Sequence, residues 1–178
     1  FALGAPWQLA FVAIKLGTFG LLLPLYFTIC HRMIPFFSAN VVAGYRIVRP
    51  AWSLPALWIL LIAHLGLELT HRYDTLWVAD VPLFALFAWH WIAWQPRKAR
   101  RPGLLAALHL TFAWLPVAFA LFSAQSLIDF LGHGFLLGRA PVHALAIGFF
   151  GSMLVAMATR VTQGHAGRPL EMGPIAWF

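Results

Sequence analysis

Long apolar runs, each near twenty residues and separated by short polar or basic punctuation, set the layout of this chain. They fall at about residues 7–29, 52–70, 76–94, 104–127 and 141–159. Crossing the hydrocarbon core takes roughly 20 residues of helix, so each run predicts one span. Backbone in lipid must satisfy its own hydrogen bonds, and no run alternates with the two-residue period of a membrane barrel. The expected fold class is therefore all-α, a polytopic transmembrane helix bundle forming one domain over residues 1–178. The chain does not begin with Met, and its closing GPIAWF reads as the opening of another apolar segment. Both features lead us to expect a part of a longer membrane protein.

The polar punctuation carries the orientation. Arg32, Arg46 and Arg49 lie between the first two runs, Arg97, Lys98, Arg100 and Arg101 between the third and fourth, and Arg160 and Arg168 after the fifth. The intervening connections hold only Arg72 and Arg139. This alternation places residues 30–51, 95–103 and the tail on the cytoplasmic side. The formal charge of +7 sits in these short connections, a topology signal that excludes a phosphate-binding face and argues against a nucleic-acid partner. Lipid is the expected partner. One cysteine, Cys30, excludes an internal disulfide and a cysteine-rich metal site. Five acidic residues leave little material for paired-carboxylate catalysis.

Within the runs, Pro24, Pro55, Pro82 and Pro116 mark expected bends. Ala144, Gly148, Ser152 and Ala156 recur every four residues, a small stripe that lets another helix approach closely. Trp52, Tyr73, Trp77 and Trp94 stand near span ends, where interfacial anchors belong.

Eight histidines in so apolar a chain are the main chemical clue. The topology sorts them into two layers: His31, His90, His109 and His165 toward the cytoplasmic end, His64, His71, His133 and His143 toward the other. Two imidazoles facing each other from different helices at one depth make a bis-histidine haem site. At about 1.5 Å per residue, His90 and His109 each lie roughly 6–8 Å inside the cytoplasmic boundary, so their depths match. His64 and His143 share the outer half. Most single histidines in membrane helices are packing residues, yet ionisable groups in lipid are costly and tend to mark functional sites. Met153 and Met157 offer soft thioethers to copper, although methionine in such helices is usually filler. Lys15 and Glu68 stand out as charges inside the first and second runs, and the sequence places no partner for Lys15.

Two segments concentrate the remaining polar signal: HRMIPFFSAN at residues 31–40, and HALAIGFFGSMLVAMATRVTQGHAGRPL at residues 143–170. Each sets Arg and His at the cytoplasmic end of a helix, where the helix dipole favours a cation that can meet an anion such as a haem propionate or a lipid headgroup. Gly164 and Gly167 permit a tight backbone there. As bare composition, Arg160 and Arg168 are better explained as topology anchors.

The two segments resemble the signature stretches of the NnrS family, polytopic bacterial inner-membrane proteins described as containing haem and copper and associated with nitric oxide response. The resemblance implies about a dozen spans, of which this chain would supply roughly five. It also implies haem held in the membrane and a role in nitrosative stress tolerance, often alongside denitrification. Matching positions include His31, Arg32, Pro35, His143, Gly148, Gly151, Met153, Thr159, Arg160, Thr162, Gly164, His165, Gly167, Arg168 and Pro169. The expected cofactor-binding residues are His31, His143 and His165, also the candidate metal ligands, with Arg32, Arg160 and Arg168 for anionic groups, then His64, His90 and His109.

Three functions compete on this sequence. The first is a haem- and copper-containing protein that meets nitric oxide or iron-nitrosyl species. The second is a di-haem electron carrier resembling cytochrome b. The third is a cofactor-free transporter or structural subunit whose histidines relay protons or pack.

Overall fold

The computed structural model describes residues 5–100 and 103–167. Arg101, Arg168, Pro169 and the closing GPIAWF lie outside the described residues. Among those described there is no strand, and the chain is an all-α bundle. Its helices are α1 (Ala5–Lys15), α2 (Leu23–Val41), α3 (Ser53–Leu69), α4 (Trp77–Ala93), α5 (Gly103–Phe130), α6 (Ala140–His143) and α7 (Ser152–His165). A π-helical stretch, Leu16–Leu22, joins α1 to α2, and another, Ala144–Gly151, joins α6 to α7. The result is five rods. Trp7–Val41, Gly103–Phe130 and Ala140–His165 are long and apolar enough to cross a membrane. The other two, α3 and α4, are apolar helices of 17 residues, about 25 Å of rise.

The first rod runs on past residue 29, so HRMIPFFSAN is helical rather than a loop. Pro35 sits within it, and the Ser38 hydroxyl donates to the Ile34 carbonyl at 2.8 Å, closing a backbone acceptor in that turn. The fifth rod likewise continues past residue 159 to His165. Ahead of Pro24 the chain widens to the π register, with the Leu23 N–H reaching the Thr18 carbonyl. Pro24 has no N–H and its ring crowds the carbonyl four residues back, so a wider turn there relieves both problems.

Connections fix the rods in up-and-down order. Tyr45 Oη donates to the Trp94 carbonyl at 3.1 Å, and Trp94 Nε1 to the Val48 carbonyl at 3.0 Å, tying the α2–α3 connection to the end of α4. Trp91 Nε1 donates to the His109 carbonyl at 3.1 Å, bringing the end of α4 against the start of α5. At the other end Ser126 Oγ accepts from the Trp77 N–H and donates to the Tyr73 carbonyl, both at 2.8 Å. One end of the bundle therefore carries Arg46, Arg49, Arg97, Lys98, Arg100 and Arg160, and is called the basic end below.

Burial is inverted relative to a protein in water. Leu9, Ile59, Ile62, Ile147 and Val155 are each more than 60% exposed, whereas His64, Asp80, His90, Ser38 and Ser53 are fully buried. Apolar side chains outside and ionisable groups inside are what a hydrocarbon solvent dictates. The core between rods is aromatic and aliphatic, built on Phe27, Leu57, Leu61, Phe87, Phe112, Phe119 and Phe149. The small stripe of the fifth rod does what its spacing suggests: a Cβ on Gly148 would come within 2.8 Å of the Trp114 ring on α5.

Candidate functional site

The buried polar side chains gather into two groups. At the basic end, α2 supplies His31 and Ser38, α3 Ser53, α4 His90, α5 His109 and α7 Arg160, all buried. His31 and His90 face each other with ring centroids 5.6 Å apart, and Trp94 and Phe27 close around them.

Hydrogen bonds fix what each imidazole offers. His90 Nδ1 meets the Leu86 carbonyl at 2.7 Å. A carbonyl only accepts, so Nδ1 carries the proton and the neutral ring's Nε2 accepts from Ser53 Oγ at 2.9 Å. Both ring nitrogens of His90 are therefore engaged within the bundle, which fixes its tautomer and orientation. His31 Nε2 is buried and has no hydrogen-bond partner. Ser38 has already given its single proton to Ile34, so it accepts at 3.1 Å from His109 Nε2–H, which leaves the lone pair of His109 on an unpartnered Nδ1.

The expected facing of His90 with His109 is thus not what the bundle builds. Sequence spacing gives depth but not the direction a side chain takes around its helix. His31 is the imidazole that meets His90, and His109 is engaged with Ser38.

Arg160 joins this end from the fifth rod. Its guanidinium carbon lies 3.9 Å from the centroid of the Phe37 ring, and its Nε and Nη1 lack hydrogen-bond partners. Met33, Phe37, Arg160, Val161, Gly164 and His165 line a groove of about 350 Å³. The two polar segments singled out in the sequence are one structural unit, joined by Arg160 on Phe37. Arg32, by contrast, is exposed. His165 is exposed with its Nδ1 on the Val161 carbonyl at 2.9 Å, and His143, at the opposite end, is exposed with its Nδ1 on the Arg139 carbonyl at 3.0 Å.

The second group lies at the end opposite the basic loops. His64 Nδ1 donates to Asp80 Oδ1 at 2.6 Å, His64 Nε2 stands 3.8 Å from Glu68 Oε1, and Lys15 Nζ bonds that same oxygen at 2.9 Å. His64 is packed by Phe19, Phe119 and Phe122. His143 is not brought to it. Asp80, absent from the sequence expectations, is the residue that holds His64. Its signal was a lone acid near the start of an apolar run.

Met153, a possible copper ligand on spacing alone, is buried in the core and accepts the Thr111 hydroxyl at 3.6 Å. Among the described residues no group of three or more His, Cys, Asp or Glu is placed to hold a metal ion. A copper centre of three such ligands is therefore not built among the described residues. A haem is different, because it needs one or two imidazoles and anion-pairing groups at its edge. The orphaned Nε2 of His31 and the unpaired N–H groups of Arg160 are groups of those two kinds, although His31 does not line the groove on which Arg160 lies.

The sequence model of the NnrS protein family matches residues 1–178, the whole chain. The chain belongs to the NnrS family. Neither a curated protein nor a solved structure matches this NnrS chain.

Proposed function

We propose that this NnrS chain forms part of a haem-holding bundle in the bacterial inner membrane, with its basic end cytoplasmic, and that it meets nitric oxide or iron-nitrosyl species in tolerance of nitrosative stress. The observation that carries the reading is the buried Nε2 of His31, unpartnered beside His90 in a cage of Phe27 and Trp94. A buried polar nitrogen without a partner costs about 1–3 kcal/mol, which a ligand would recover.

His31 would hold the group through its unpartnered Nε2, with His90, whose two ring nitrogens are engaged by Leu86 and Ser53, packed beside it. Arg160, facing the groove of Met33 and Phe37, would pair an anionic edge such as a propionate. When bound, haem supplies an iron that takes up diatomic ligands. The chain's own contribution is orientation and exclusion of water. The Leu86 carbonyl fixes the His90 tautomer, and the aromatic wall keeps the pair dry. His143 and His165 are exposed, so any ligand role for them is toward groups beyond the described residues.

The electron-carrier reading asks for a second facing pair of histidines. At the opposite end His64 is engaged with Asp80 instead.

The test is an optical spectrum of the whole purified protein, oxidised and reduced, with and without nitric oxide. A haem Soret band that shifts with nitric oxide is the expected result. A low-spin spectrum indifferent to nitric oxide would favour the electron carrier. A flat spectrum from protein made with ample haem overturns both.

A further inference from the structure

The group at the opposite end is more than a packed ion pair. Lys15, Glu68, His64 and Asp80 form a chain of contacts across three helices, with successive gaps of 2.9, 3.8 and 2.6 Å. Glu68 Oε2, His64 Nε2 and Asp80 Oδ2 are buried without hydrogen-bond partners. Glu68 and Lys15 also line a cavity of about 350 Å³, whose other polar walls are Tyr73, Gln125, Ser126 and Asp129. Glu68 is only 3% exposed, so its carboxylate is held at the inner limit of a largely apolar cavity with a few polar groups in its wall.

Charge bookkeeping shows what this arrangement lacks. With Lys15 protonated, both acids ionised and His64 neutral, the four groups carry one net negative charge. An uncompensated charge away from water is strongly unfavourable, and gaining one proton removes it.

We propose that Glu68, His64 and Asp80 form a proton-uptake relay, loaded from the cavity at the end opposite the basic loops. A hydronium ion in the cavity protonates a Glu68 carboxylate oxygen and leaves as water. The Glu68 O–H bond then breaks as the proton passes to the lone pair of His64 Nε2, through carboxyl rotation or one bridging water. The His64 Nδ1–H bond breaks in turn as that proton moves to Asp80 Oδ1. Glu68 ends ionised, His64 neutral with its proton on Nε2, Asp80 a neutral acid, and Lys15 unchanged. One proton has been gained and no electron has moved. The titratable groups that line the cavity beside Glu68 are Lys15 from α1, Tyr73 from the α3–α4 connection and Asp129 from α5. Lys15 Nζ holds Glu68 Oε1 at 2.9 Å, and Phe19, Phe119 and Phe122 pack around His64. The relay stands independently of haem.

The experiment is infrared difference spectroscopy of the whole protein in nanodiscs as pH is stepped between about 8 and 5, the range in which histidine-linked sites commonly titrate. Wild type should gain a protonated-carboxyl band on acidification, and Asp80→Asn should lose it. In Glu68→Gln, whose side chain keeps the shape but cannot take up and release a proton, the band should form about tenfold more slowly or not at all. Should Asp80→Asn fail to fold, Asp80→Glu, which retains the carboxyl, should shift the band rather than abolish it. A wild type without the band, or a band unchanged in Glu68→Gln and in the Asp80 variants, identifies a static ion-pair cluster and overturns the proposal. A normal rate in Glu68→Gln with the band lost in Asp80→Asn overturns the entry route.

Discussion

Arg160 lies over the face of Phe37, its guanidinium carbon 3.9 Å from the ring centroid. These residues are far apart in sequence, and each sits in one of the two polar segments that stand out along the chain. Their contact makes the segments one wall of one groove. A buried guanidinium on an aromatic face contributes about 2 kcal/mol when desolvated. A double-mutant cycle of Arg160→Met and Phe37→Leu, read by thermal unfolding of the whole protein in detergent, should therefore show a coupling of about 1–2 kcal/mol. Additive effects would mean the stacking contributes nothing to stability.

His31 and His109 separate the ligand role from the structural one. Both are buried and each has one unpartnered ring nitrogen, but His31 faces His90 while His109 is tied to Ser38. His31→Ala should reduce retained haem by about tenfold or more, as loss of a ligand shell does. His109→Ala should leave haem content near wild type and cost stability instead, through the lost bond to Ser38. Haem per polypeptide after purification, measured on both variants, decides. Equal loss in both would remove the distinction.

Much of the architecture was legible because a bilayer imposes a simple code: five apolar runs became five helical rods. Rod ends were less legible. HRMIPFFSAN reads as a loop by composition, yet it is helical, with His31 and Ser38 buried and Arg32 and Asn40 exposed. The candidate sites were half legible for a related reason. Counting residues gives the depth of His90, His109, His64 and His143 but not their direction around the helix, so the real neighbours of His90 and His64, namely His31 and Asp80, were not readable. Lys15 pairs with a residue 53 positions away, a contact no local pattern announces.

Gly148 tests the close approach of the fifth rod. A methyl group there would meet the Trp114 ring at 2.8 Å, inside any normal contact. Overpacking of this kind costs about 1–3 kcal/mol. Trp114 is 44% exposed and can swing partly aside, which places the expected cost of Gly148→Ala toward the lower figure. Trp114→Leu should recover most of that loss in the double variant. The midpoint of thermal unfolding is the readout, and an unshifted Gly148→Ala midpoint would show that the rods are not held at this distance.

The pairing of Lys15 with Glu68 sets the last expectation. Glu68 is almost wholly buried, while the Lys15 side chain is 20% exposed and partly hydrated. Removing the lysine leaves a buried carboxylate without its cation, an error that costs about 3–5 kcal/mol when both groups are fully dry and less when one keeps water. Lys15→Met should therefore destabilise the protein by about 1–3 kcal/mol at neutral pH. Combining Lys15→Met with Glu68→Gln should restore much of the stability, since a buried pair removed together is often close to neutral. Unfolding midpoints of the single and double variants test both statements. A double variant no better than Lys15→Met alone would mean that the lysine acts through its contact with the Phe11 or Phe19 ring, 5.5 and 5.7 Å away, rather than through Glu68.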